Sequence, residues 1–347
     1  MHAIALFAFV LLPAAADPVP FKLGSFERNG RAMLGLVLDG ARVVDIAAAN
    51  LALERRHPDW KKLVAPAGMK DLIERYDGEW RERLQAIARE PNGTYDRAAL
   101  RIRPPVPDPE TMLNAAVNYV EHEAETQRMQ ASPAAASAAA PPPAPGLWER
   151  RAGDVRQTPY LFIKARTALV ADGEAIRIPP RRDRIDWECE LAVLVGRRGA
   201  RVPVERAREH IFGYTLENDV SDRAGRGDSR HGSDWLVGKS HDTFAPLGPF
   251  IVPKEFVPDP QKLRIQFTLS GTPMQDSSTD RMTHTVDELL AYASNILTLR
   301  PGDVISTGSP AGVGYVRNPP VFLKPGDVSV CTIEGIGTLT NPVVAER

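Results

Sequence analysis

Asp186-Trp187-Glu188-Cys189-Glu190-Leu191-Ala192-Val193-Leu194-Val195-Gly196 is the stretch on which both the fold and the chemistry of this chain turn. Its apolar, β-branched second half reads as a buried strand. Side chains alternate along a strand, so Glu188 and Glu190 share one face. Two buried like charges repel, at a cost of several kcal/mol when unpaired. A divalent cation removes that cost. A second strand-like run, Gly213-Tyr214-Thr215-Leu216-Glu217-Asn218-Asp219, ends on a third carboxylate at Asp219. Three carboxylates without a Cys or His cluster suit a hard cation, Mg²⁺ or Mn²⁺, better than Zn²⁺. Taken alone, Glu-x-Glu also fits the solvent face of an edge strand, so the rest of the chain has to decide.

The chain has 347 residues, 43% hydrophobic, with a formal net charge of -1. It is long enough for one large domain and a small one. A near-neutral balance gives no reason to expect nucleic acid or an anionic membrane as partner. The two cysteines, Cys189 and Cys331, allow one disulfide but do not demand it. Cys189 alternates with the two glutamates and is expected to be a buried core thiol on the opposite strand face.

Residues 1–16 resemble an export signal: an apolar run from Ala3 to Leu12, then Ala14-Ala15-Ala16 before Asp17. The run is too short to span a bilayer, and its leading segment lacks Lys or Arg. The expectation is an exported, periplasmic protein if the signal is cleaved, and a cytoplasmic one otherwise. Residues 20–102 are expected to form a small N-terminal α/β module. It begins with short strands turning at Asn29-Gly30 and Asp39-Gly40. A helix over Met69 to Arg89 follows, with Leu72, Ile73, Tyr76, Trp80, Leu84 and Ile87 along one stripe. The proline-rich run 103–109 is a domain entry. From Tyr160 onward the chain is strand-rich. Arg300-Pro301-Gly302-Asp303 and Lys324-Pro325-Gly326-Asp327 both read as type II turns before strands. The fold class expected is mainly β with α (α+β).

Further residues join the carboxylates. His122 and Glu125 stand three apart on a helix that begins near Asn118, so they share a face. A carboxylate beside an imidazole raises its basicity, as a general base needs. An Ala/Pro-rich insertion over 131–150 follows and reads equally as a lid or as a plain surface insertion. Arg223 comes shortly after Asp219, and Lys239 after an apolar turn. The loop Ser306-Thr307-Gly308-Ser309-Pro310-Ala311-Gly312-Val313-Gly314 can bring backbone amides and the Thr307 hydroxyl close to an anion.

As an ordered set these pieces resemble the fumarylacetoacetate hydrolase family. The matching residues are Asn118-Tyr119-x-x-His122-x-x-Glu125, Glu188-x-Glu190, Asn218-Asp219-Val220-Ser221-x-Arg223, Lys239, Thr307 to Gly314, and the ending Ile333 to Asn341. The resemblance covers roughly Pro107 to Val344, and residues 107–347 are taken as the catalytic domain. Ser309 departs from the family's usual Thr, and the insertion falls where the family's lid lies. The resemblance implies a mixed β-sheet roll, often a homodimer, with Mg²⁺ or Mn²⁺ on Glu188, Glu190 and Asp219. It also implies a His122–Glu125 dyad, Lys239 as a catalytic cation, and Arg223, Thr307 and Tyr119 as substrate contacts.

The reaction implied first is hydrolytic cleavage of a C–C bond in an acylpyruvate-type α-keto acid. His122 would activate a water for attack on the distal carbonyl, and the cation and Lys239 would stabilise the departing enolate. The same site suits isomerisation (of the 2-hydroxyhepta-2,4-diene-1,7-dioate type), tautomerisation or oxaloacetate decarboxylation. A non-catalytic exported binding protein is the competing class, because fold does not dictate function. The retained His122–Glu125 pair argues against it.

Overall fold

The computed structural model describes residues 17–129, 144–227, 230 and 232–346. The expected leader, residues 1–16, and most of the 131–150 insertion lie outside the described residues. The remaining strands gather mainly into two sheets.

The larger sheet has twelve strands. Its N-terminal end is a meander of Lys22–Arg28, Arg31–Leu38 and Arg42–Asp45. Asn29 and Gly30 both adopt positive φ, +49° and +75°, in the two-residue connection that pairs Arg28 with Arg31. Such turns match the twist of a hairpin, and Asn-Gly tolerates the left-handed backbone they need. The sheet then crosses into the C-terminal half through Leu23, which pairs with Ile251 of the Ala245–Pro253 strand. Beyond it lie Ile211–Asn218, Cys189–Val195, Val304–Ser306, Met112–Ala115 and Leu161–Ile163. The quoted strand thus sits mid-sheet, and every residue from Cys189 to Val195 is buried. That is why its sequence is a continuous apolar run rather than an alternation.

The expected helical stripe forms as Met69–Arg75, a π-helical turn over Tyr76–Trp80, and Arg81–Arg89. All six stripe residues are buried, Leu72, Trp80, Leu84 and Ile87 completely. Both Pro-Gly turns also form: Asp303 N–H donates to Arg300 O and Asp327 N–H to Lys324 O, each at 3.0 Å, and strands begin at Val304 and Val328.

The smaller sheet runs Thr272–Ser278, Arg264–Leu269, Val328–Ile333, Gly337–Ala345 and Ile176–Ile178. It packs on the Cys189 face of the larger sheet, so the face bearing Glu188 and Glu190 is left for the site. Here one expectation is corrected. Cys189 is not a free thiol: it is disulfide-bonded to Cys331, with Cα atoms 5.5 Å apart across 142 residues of sequence. The strand face was read correctly, but the second sheet brings Cys331 onto it.

Where the chain resumes after the insertion, Arg156 Nη2 donates to Asp154 Oδ2 and to Glu288 Oε1, both at 2.8 Å. Arg156 Nη1 donates to Thr283 O at 2.7 Å. This fastens the returning chain to the capped start of the Val286–Ile296 helix. Among the described residues no helix is long and apolar enough to cross a membrane.

Candidate metal centre and active site

Glu190 projects from the mid-sheet strand, Glu188 precedes it, and Asp219 follows the neighbouring Ile211–Asn218 strand. The Asp219 N–H donates to Glu188 O at 2.8 Å, which carries the strand pairing on to the third carboxylate. One oxygen from each of the three lies within 4.8 Å of the others, and all three residues are buried.

Cations surround part of this cluster. Lys239 Nζ donates to Glu188 Oε2 at 2.6 Å and also to Asp219 Oδ2. Lys164 Nζ donates to Asp219 Oδ1 at 2.5 Å and to Val220 O at 3.1 Å. Arg223 donates from Nη2 to Glu188 Oε1 at 2.7 Å and from Nε to Asp186 Oδ2 at 2.8 Å. Burial alone would favour the neutral form of Glu188, but Arg223, Lys239 and His122 outweigh it and hold this carboxyl well below the usual range.

Glu190 is treated differently. Its Oε2 accepts the Gly308 N–H at 2.8 Å, while its buried Oε1 has no partner. Burial, then Asp219, Glu188 and Glu217, push its carboxyl well above the usual range. Glu217 lies beside it, pushed up to about 7 by burial, with Lys164 opposing. Among the described residues, Lys164, Arg223 and Lys239 form ion pairs within the buried set of Asp186, Glu188, Glu190, Glu217 and Asp219, with His122 nearby. With all five carboxylates ionised and the imidazole neutral, the cluster is short of two positive charges. One divalent cation would supply both, and the orphaned Glu190 oxygen could serve it as a ligand. The all-oxygen donor set therefore fits a hard ion such as Mg²⁺ or Mn²⁺.

His122 is buried at the edge of this cluster, close enough for its charge to act on Glu188. Its Nδ1 lies 3.4 Å from Glu125 Oε2. The base of its helix is pinned by Asn118, which donates to His284 O and Thr307 O and accepts from the His284 N–H. Glu125 in turn accepts the Gly312 N–H at 3.3 Å. Gly308 and Gly312 have φ of +89° and +101°, and a Cβ on Gly312 would lie 2.2 Å from Met274 O. Only glycine lets the loop approach this closely.

Tyr119 is fully buried, its hydroxyl without a partner, and burial together with Glu190 raises its pKa well above the usual range. The Thr307 hydroxyl donates to Leu191 O at 2.8 Å, so it faces the sheet. Two of the Arg223 nitrogens are already engaged by carboxylates.

The sequence reading missed Asp186, Lys164, Glu217 and Tyr315. Asp186 alternates with Glu188 and Glu190 and extends their face by one step. Lys164 is a lone cation closing the apolar Tyr160-Leu161-Phe162-Ile163, and such a position asks for a buried partner. Glu217 precedes Asp219 by two, the same spacing as the first pair. Tyr315 directly follows the Gly-rich loop that ends at Gly314, and that adjacency is the sequence signal that was passed over.

The family profile described as Fumarylacetoacetate (FAA) hydrolase C-terminal matches residues 111–344. The chain belongs to the fumarylacetoacetate hydrolase family. Mitochondrial oxaloacetate tautomerase fahd2 of Xenopus laevis is 34% identical over 312 residues, 90% of this chain and 86% of that protein. Among solved structures, 5-carboxymethyl-2-hydroxymuconate delta-isomerase from Mycobacterium smegmatis has a TM-score of 0.65 at 29% identity, covering 94% of this chain and 99% of that one. Fumarylacetoacetate hydrolase from psychrophilic Exiguobacterium antarcticum has a TM-score of 0.66 at 28% identity, covering 94% and 100%. The chain is thus a fumarylacetoacetate hydrolase-family enzyme, and its relatives act as tautomerase, isomerase or hydrolase.

Proposed function

We propose that this enzyme interconverts the keto and enol forms of a small α-keto diacid of the oxaloacetate kind, with Mg²⁺ or Mn²⁺ held by Glu188, Glu190 and Asp219. The observation that carries the reading is an imidazole, steadied by Glu125, at the rim of a carboxylate trio that is short of positive charge. The bound cation would act as a Lewis acid toward the enolate form of the substrate. The remaining work falls to side chains. With Nδ1 turned to Glu125, His122 presents Nε2 to the substrate. It takes a proton from the carbon beside the keto group, and the 2-oxo oxygen gains a proton as the enol forms. Lys239 and Arg223 offset the negative charge that develops on the way. The similarity to an oxaloacetate tautomerase over 86% of its length supports this choice of reaction.

The test follows the enol absorbance of oxaloacetate with Mg²⁺-loaded protein. His122→Gln is expected to lower kcat by roughly 10²–10⁴, the range for a general base, with cation binding intact. A variant with full activity overturns the assignment. A second reading, C–C hydrolysis of an acylpyruvate, is favoured by the likeness to the Exiguobacterium hydrolase. There the same base would act on water. Stoichiometric release of pyruvate from acetylpyruvate, with no enolisation of oxaloacetate, would replace the first reading by the second.

A further inference from the structure

Tyr315 has no part in the reaction described above, yet it touches both sides of the site. Its ring covers the Arg223 guanidinium, whose central carbon lies 4.2 Å from the ring centroid. The same ring meets the His122 imidazole edge-on, with centroids 6.5 Å apart and planes at 89°. Its hydroxyl is 3.4 Å from Thr126 Oγ1, one turn along the His122 helix. Its backbone is held as well: Asp186 Oδ2 accepts the Tyr315 N–H at 3.1 Å and the Arg223 Nε–H at 2.8 Å. One carboxylate oxygen thus fixes the ring and the guanidinium beneath it together.

Edge-to-face rings at this separation are in contact, as is a cation over a ring at this distance. His122, Tyr315 and Arg223 form a continuous wall that begins at the base and ends at the group gripping Glu188.

We propose that Tyr315 is a specificity-determining residue, whose ring closes the far end of the substrate site and restricts it to short α-keto acids. The inference rests on reading the trio as a cation site for α-keto acids. A substrate anchored at the trio and reacting next to His122 has its remaining carbons directed at this wall. A short diacid ends before the ring, and each added methylene is driven against it. The Tyr315 hydroxyl is engaged within the protein rather than with substrate. Thr126 Oγ1 already donates to His122 O at 3.0 Å, so it serves Tyr315 only as a long acceptor.

Calorimetry on the full-length, Mg²⁺-loaded protein tests this with a ladder of oxalate, 2-oxoglutarate and 2-oxoadipate. Wild type is expected to bind more weakly as the chain lengthens. Tyr315→Ala should leave oxalate within about twofold of wild type and tighten 2-oxoadipate by at least roughly tenfold, the scale of discrimination set by pocket size. Tyr315→Phe keeps the ring and should keep the ladder. Tyr315→Val carries the same expectation as the alanine variant should that one fail to fold. An unchanged ladder in Tyr315→Ala overturns the proposal, and so does loss of oxalate binding, which would mark a merely structural role. A wild type that binds no member of the ladder overturns this inference together with the α-keto acid reading. A wild type that binds the ladder but does not enolise oxaloacetate sinks only the proposed reaction.

Discussion

Glu190 stands directly across from Glu217 on neighbouring antiparallel strands, and both are fully buried. Like charges in that register are destabilising. The sheet relieves them only partly: Asn114 Nδ2 donates to Glu217 Oε1 at 3.1 Å, and Gly308 N–H donates to Glu190 Oε2 at 2.8 Å. Among the described residues, the second Glu190 oxygen has no hydrogen-bond partner. Such a pairing makes sense as a site held ready for positive charge, and it gives opposite expectations with and without a cation.

Glu190→Gln should raise the melting temperature of the cation-free protein, because it removes a charge that burial and three neighbouring carboxylates disfavour. The same variant should lose divalent-cation affinity by more than the roughly 10–100-fold typical of groups one step removed from a metal. Thermal melts with and without MgCl₂ check both. A variant that melts lower without Mg²⁺, yet keeps the Mg²⁺-induced shift of wild type, would remove Glu190 from the ligand set.

Lys164→Met should destabilise the cation-free protein by about 3–5 kcal/mol, the cost of leaving one member of a buried ion pair alone. Asp219 would then keep only Lys239 among its cationic partners. Saturating Mg²⁺ should restore much of the loss, since it returns positive charge to the same carboxylate. Urea titrations at two Mg²⁺ concentrations measure this. Equal losses at both would show that Lys164 acts by packing alone.

Acid should loosen the clamp behind the insertion. The Arg156 hydrogen bond, against a smaller opposing effect of burial, holds the Asp154 carboxyl down at about 2. A depressed carboxylate contributes stability above its unfolded pKa, near 4, and loses it as pH falls toward 2. Arg156 is partly exposed, so the contribution should be about 1 kcal/mol after screening. Asp154→Asn should melt below wild type at pH 6 and converge with it near pH 2. A constant gap across that range would contradict this assignment.

Much of the frame was legible because it depends on near neighbours in sequence. Asn29-Gly30 and the two Pro-Gly turns announce their own backbone geometry. The stripe from Leu72 to Ile87 shows its buried face even though a π-helical turn interrupts it. Alternation alone places Glu188 and Glu190 on one face. What stayed hidden depends on distant segments meeting. Lys164 meets Asp219 although its strand does not neighbour the Ile211–Asn218 strand in the sheet. Tyr315 enters the site because Asp186 draws in its amide. Leu23 pairs with Ile251, a register that neither segment spells out.

The covalent link from Cys189 to Cys331 bears on where such an enzyme works well. Cys189 separates the two glutamates of the trio, so any slack in that link is felt by both. Thiol-rich surroundings would therefore weaken the hold on the divalent ion without altering a single ligand. Protein kept under dithiothreitol should need more Mg²⁺ to saturate than protein kept in air, and oxidation should reverse the difference.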